Sequence, residues 1–137
     1  AHTPDAFKNI LSMVREIKQN NDKVITLFGC GGNRDQTKRP IMSRIAEKYS
    51  DLLIITSDNP RNESLDDIIN DMVSGLRLQN HKIIQDREKA IIYAINMMDN
   101  DTILLILGKG REDYQVVNGV KSLHSDTDIV QGAINAS

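Results

Sequence analysis

Tryptophan is absent from this sequence, and two phenylalanines and three tyrosines are its only aromatic residues. So few rings leave little for the bases of a single-stranded nucleic acid to stack on. Charge of one sign is lacking too. Seventeen basic residues against nineteen acidic ones leave a net charge of −2, a balance that favours neither nucleic acid nor an anionic membrane as a partner. No apolar run approaches the roughly 20 residues of a membrane-spanning helix, and no secretory signal is visible. The single cysteine, Cys30, excludes an internal disulfide and suits the reducing cytoplasm. Cys30 could be a nucleophile, but the three histidines are scattered and none pairs with it locally. A small buried residue at a strand end is the simpler reading. No group of ligands has the spacing of a metal site.

What is present is an ordinary globular balance, with 39% hydrophobic and 26% charged residues in 137. That is enough for one domain with a core. The chain opens on Ala1 with no methionine before it, and "AHTPDAF" reads as cut from something longer. Residues 1–137 are therefore expected to be one domain of a multidomain protein.

Thr3-Pro4-Asp5 predicts a helix start: a cap, a proline at the first helical position and an acid in the first turn. Phe7, Ile10, Leu11, Val14 and Ile17 follow at helical spacing as its buried face. "KVITLFG" (Lys23 to Gly29) is a short run of strand formers. A helix starting near Pro40 is expected to bury Ile41, Ile45, Ala46 and Tyr49. "DLLIITSD" (Asp51 to Asp58) is a second strand. Ser64 caps a third helix, with Leu65, Ile68, Ile69, Met72, Val73 and Leu76 as its apolar stripe. "HKIIQD" is a third strand. Asp86 caps a fourth helix, with Ala90, Ile91, Ala94, Ile95 and Met98 inward. "TILLILG" is a fourth strand. Asn118-Gly119 marks a hairpin turn, and "SDTDIVQGAINAS" a weak last helix. This order predicts an α/β fold of three layers: a mostly parallel, Rossmann-like sheet covered on both faces, with a C-terminal antiparallel hairpin at its edge.

Ligands of open parallel sheets sit in the loops at the carboxyl ends of the strands. Three such loops are unusual here: "GCGGNRDQTKRP", "TSDNPRNES" and "GKGREDYQ". Gly29, Gly31 and Gly32 would let backbone N–H groups approach a ligand. Arg34 and Arg61 are planar forks suited to carboxylate or phosphate. Asp58 and Glu112 suit an ammonium group, and Asn59 can donate and accept. Taken singly, each is more simply a solvated loop residue, and Asp58 a turn-maker. Together, two cations and two anions on one edge suit a zwitterion carrying extra charge. A dinucleotide fold is disfavoured, because Arg34 stands where the third glycine of G-x-G-x-x-G belongs and "DQTKRP" delays the helix. "GKGRED" is not the G-x-x-x-x-G-K-[ST] of a nucleotide triphosphatase.

The ordered set "AHTPDAF", "FGCGGNRD..KRP", "TSDNPR", "DREKAI" and "GKGREDYQ" resembles the carboxyl-terminal domain of Mur ligases, most closely the MurE branch. The resemblance runs over nearly the whole chain. It implies the amino-acid-binding domain of an ATP-dependent ligase that forms an amide bond in peptidoglycan synthesis. In that scheme the enzyme joins meso-diaminopimelate to UDP-MurNAc-L-Ala-D-Glu through an acyl phosphate made in a separate central domain. ATP and Mg2+ would be held mainly there, with His2 reaching the ATP from this side, and this domain alone would be inactive. The resemblance assigns Arg34, Asp58, Asn59, Pro60, Arg61, Gly108 and Glu112 to meso-diaminopimelate. Arg61 of "DNPR" would pair with the distal carboxylate that lysine lacks, and Gly108 and Glu112 would hold the distal amino-acid head. No catalytic residue and no metal ligand is expected within these residues. Three positions depart from the family pattern: Asn33 replaces Asp, Arg111 replaces His and Ser43 replaces Gly. A related ligase adding lysine or another amino acid, or a binding module without catalysis, stays open. A G-K-[ST] loop preceding this domain would favour the ligase.

Overall fold

The computed structural model describes residues 4–32, 35–107, 114–117, 120–123, 131–132 and 134. Helix α1 (Pro4–Ile17) begins on the proline, where its missing N–H is no loss, and buries Phe7, Leu11 and Val14. Ile17, expected inward, is 67% exposed; it is the last residue of the helix, past the turns that pack. Strand β1 (Lys23–Phe28) follows, then α2 (Lys38–Tyr49), β2 (Leu52–Ile55), α3 (Leu65–Val73), β3 (His81–Ile83), α4 (Arg87–Met97) and β4 (Thr102–Leu107).

The four strands form one parallel sheet in the order β3-β2-β1-β4. The chain steps outward from β1 to β2 and β3, then returns past β1 to β4. Alternate residues of a strand face opposite sides, and β1 feeds two cores accordingly. Phe28 packs with Phe7, Leu11, Met42, Ala46, Ile68, Ile69 and Met72 under α1, α2 and α3. Ile25 and Leu27 pack with Ala90, Ile91 and Ala94 of α4. The three layers expected from the alternation are thus present, with three helices on one face and one on the other.

Besides Ile17, two inward assignments on the helices need correction. In α2 the buried residues are Arg39, Met42, Ser43, Ala46 and Glu47, while Ile41 is 49% exposed. The helix is turned so that two charged side chains point inward and bond groups on other elements. Glu47 accepts from the amides of Arg77 (2.8 Å) and Leu78 (3.1 Å), and Arg39 is taken up below. Met98 is also partly exposed, because it lies beyond the end of α4 as its C-cap.

Strands β5 (Tyr114–Val117) and β6 (Val120–Leu123) pair antiparallel with Tyr114 opposite Leu123. They form a two-stranded sheet of their own, so the hairpin is present but is not an added edge of the main sheet. Its ladder is closed between its own two strands. The Asn118-Gly119 turn lies outside the described residues, as does most of the last helix, of which Gln131, Gly132 and Ile134 are helical.

Candidate functional site

Phe28, at the end of β1, lies opposite Ile55 of β2 on one side and Leu107 of β4 on the other. The carboxyl ends of these strands are therefore level. The connections run from β1 toward β2 in one direction and β4 lies in the other, so the strand order reverses between β1 and β4. This reversal opens the crevice in which ligands of such sheets bind. The expectation that the loops share one edge rests on parallel strands, and the strands are parallel.

The first loop approaches the second very closely. The amide of Gly32 donates to the carbonyl of Asn59 at 2.6 Å. A Cβ on Gly32 would stand 1.6 Å from the Pro60 carbonyl oxygen, and one on Gly29 would stand 2.6 Å from the Thr56 carbonyl oxygen. These two glycines serve the junction of two loops. From sequence alone they could admit a ligand to the backbone or simply make a turn; the space beside them is filled by the neighbouring loop.

In the second loop, Asp58 and Asn59 are buried. The Asp58 carboxylate accepts from the amide of the adjacent Asn59 at 2.8 Å. Pro60 is buried and its carbonyl accepts from the Glu63 amide. Arg61 has φ 52°, in the left-handed region that costs a side-chain-bearing residue about 1–2 kcal/mol. Its Nη1 donates to the Gly32 carbonyl at 2.9 Å and to that of Asn59 at 3.4 Å. Its Nε and Nη2 have no hydrogen bond among the described residues. The guanidinium is thus held through Nη1 to the backbone of both loops. Arg34, Gly108, Glu112 and His2 lie outside the described residues, as do Asn33 and Arg111. The structure accordingly brings together Asp58, Asn59, Pro60 and Arg61 of the expected set.

Two functional-looking arginines escaped the sequence reading. Arg39 of α2 donates to both Glu63 carboxylate oxygens (2.8 and 2.9 Å), to Asp71 of α3 (2.9 Å) and to the Gly31 carbonyl (3.1 Å). Burial works against its charge, but its hydrogen bonds to Glu63 and Asp71 outweigh it and hold its pKa above the ordinary arginine value. Arg87, the first residue of α4, donates to the carbonyls of Ser57 (2.8 Å) and Leu107 (3.3 Å). It therefore joins the end of β4 to the start of the loop after β2. One signal could have found both. A cation in the first turn of a helix opposes the helix dipole, so an arginine there calls for a compensating partner.

Cys30 is buried, and burial pushes its thiol up to about 12, against the lowering field of Arg39. It is no nucleophile near neutral pH. Ser43 is fully buried and its hydroxyl has no hydrogen-bond partner among the described residues. A polar hollow of about 460 Å³ lies beside the second loop, lined by Gln36, Asn62, Glu63, Ser64, Asp67, Asn70 and Asp71. Its charged lining residues are Glu63, Asp67 and Asp71, the first and last of them paired with Arg39. Among the described residues no three His, Cys, Asp or Glu side chains converge to hold a metal ion. No described helix is long and apolar enough to cross a membrane.

A family model described as "Mur ligase, glutamate ligase domain" matches residues 1–110. The chain is 50% identical over 132 residues to the UDP-N-acetylmuramoyl-L-alanyl-D-glutamate–2,6-diaminopimelate ligase of Aquifex aeolicus (strain VF5), covering 96% of this chain and 27% of that protein. It is 44% identical over 137 residues to the ligase of the same name from Clostridioides difficile (strain 630), covering 98% of this chain and 28% of that one. A solved structure of a ligase of this name superposes with a TM-score of 0.92 at 38% identity, over 99% of this chain and 28% of that chain. The chain thus spans little more than a quarter of the length of these relatives.

Proposed function

This chain belongs to the Mur ligase family, as a glutamate ligase domain, and from that premise we propose that it binds the incoming amino acid for a longer ATP-dependent ligase. The amino acid is meso-diaminopimelate and the acceptor is UDP-MurNAc-L-Ala-D-Glu. The observation that carries this reading is the 44–50% identity, across nearly all of this chain, to ligases named for 2,6-diaminopimelate. ATP and Mg2+ activate the acceptor in a domain beyond these residues, and His2 reaches toward the ATP. The reaction is cytoplasmic, where ATP is supplied.

The geometry supports a division of labour. Arg61 is held by Nη1 to the Gly32 carbonyl and offers Nε and Nη2 to the distal carboxylate of diaminopimelate. Its left-handed backbone is the strained conformation that tends to persist at ligand clamps. Asn59 supplies hydrogen bonds beside it, Asp58 and Pro60 shape the turn, and Arg34 takes a second carboxylate. Gly108 and Glu112 hold the distal amino-acid head, Glu112 through its ammonium. Lysine has no distal carboxylate, so it forfeits the pair with Arg61 and leaves that guanidinium unneutralised.

A buried charge pair broken on one side costs about 2–5 kcal/mol, and 1.4 kcal/mol is about tenfold in affinity. In the full-length ligase, Arg61→Ala should therefore lower the preference for diaminopimelate over lysine by at least about 30-fold. The measurement is kcat/KM for each amino acid at saturating ATP and acceptor. An unchanged ratio removes Arg61 from the reading. A wild-type enzyme that prefers lysine or glutamate removes the substrate assignment itself.

A further inference from the structure

Arg39 has no place in the ligand-binding set above, yet its side chain is only 2% exposed. Its partners explain why it matters. One face of the guanidinium holds Glu63, two residues beyond Arg61, through both carboxylate oxygens. Another nitrogen contact reaches the Gly31 carbonyl. The next carbonyl along, that of Gly32, is the one that pins Arg61, and the Gly32 amide is bonded to Asn59. Asp71 ties the same guanidinium to α3. Arg39 thus grips the chain on both sides of the Arg61 anchorage, once in each loop.

Buried ion pairs are weak contributors to stability compared with apolar packing of the same volume. Here the Arg39 Nε is also buried without a hydrogen bond among the described residues. What the triad provides is direction: it ties two loops and two helices through one planar group whose hydrogen bonds permit little rotation.

We infer that Arg39, clamped by Glu63 and Asp71, is a positioning residue that presents Arg61 to the amino acid and so helps decide which amino acid is accepted. This inference rests on the function proposed above, and it concerns residues that do not themselves touch the substrate.

The test uses the full-length ligase. Glu63→Gln removes the charge of one partner with little change in shape. It should raise KM for diaminopimelate at least tenfold, lower kcat by less, and cut the selectivity over lysine by a similar factor. Asp71→Asn, at the more exposed contact, should shift the same quantities in the same direction by less, and serves if Glu63→Gln does not fold. Hydrogen exchange of the peptide containing Gly32 should accelerate in either variant, because its bond to Asn59 loses its brace. A lowered melting temperature with unchanged selectivity and unchanged KM would reduce the triad to a structural tie and overturn the inference. Should the wild-type enzyme reject diaminopimelate, the proposed function fails; the clamp is then judged on the Gly32 exchange, and unaltered exchange overturns it too.

Discussion

A methyl group on Gly32 would sit 1.6 Å from the Pro60 carbonyl oxygen. That carbonyl is backbone, so Gly32→Ala must push the two loops apart and break the bonds that join them. A loss of about 3 kcal/mol is expected, read as a lower midpoint in urea unfolding. Gly132 is the opposite case: it is helical and exposed, and a Cβ there meets nothing within 4 Å. Gly132→Ala should gain about 1 kcal/mol in the same assay, from helix propensity alone. Cys30 gives a prediction in pH. Its folded value of about 12 lies above the ordinary 9.0. Between those values the unfolded chain gives up its thiol proton while the folded one keeps it. Stability is therefore whole below pH 9 and falls as pH rises toward 12, by up to about 1.4 kcal/mol per unit. The difference between wild type and Cys30→Ala, followed by denaturation at each pH, isolates this slope; equal slopes would show that the thiol titrates normally.

Elements are set by their ends as much as by their faces. Asp86 caps α4 with its carboxylate on the Lys89 amide at 3.1 Å. Ser64 occupies the corresponding position of α3 in extended backbone, yet its side chain makes no capping bond. Asp86→Ala should cost about 1 kcal/mol, whereas Ser64→Ala should stay within about 0.5 kcal/mol; paired thermal melts of the two variants distinguish them. The outer strand β3 spans only His81–Ile83 and carries Lys82, whose ammonium stands 4.4 Å from the Tyr93 ring centroid. A short edge strand with a lysine resists pairing with other chains. In α2 the apolar periodicity pointed to Ile41, but the helix turns Arg39 and Glu47 inward. Both satisfy backbone or acidic groups on other elements, and a pattern that counts only apolar residues does not register such partners.

For the whole molecule, the decisive feature is that three strand ends are level while the strand order reverses beside β1. Arg87 holds that edge together, reaching Ser57 after β2 and Leu107 at the end of β4. Arg87→Leu keeps much of the volume but leaves both carbonyls without their charged donor. Hydrogen bonds to charged groups contribute about 1.5–3 kcal/mol, so a loss near the upper end is expected, measured by calorimetry. A variant as stable as wild type would mean that the strand ends keep their spacing without it.

The sequence by itself determined the layers. Short, nearly continuous apolar runs in Val24–Phe28 and Leu52–Ile55, set between helical stripes, point to a parallel sheet with helices on both faces, because each apolar face must find another. It also determined that Asp58, Asn59, Pro60 and Arg61 stand at the carboxyl-end edge of the sheet, since parallel strands send their following loops the same way. Only the tertiary structure decided what those loops touch. Gly32 faces Pro60, Arg61 is pinned to Gly32, and Arg39 and Arg87 are buried braces. Most of these are contacts between residues 20 to 32 positions apart. Periodicity is written in neighbours three or four residues apart, so it orients an element but is silent about the polar groups that meet when elements pack.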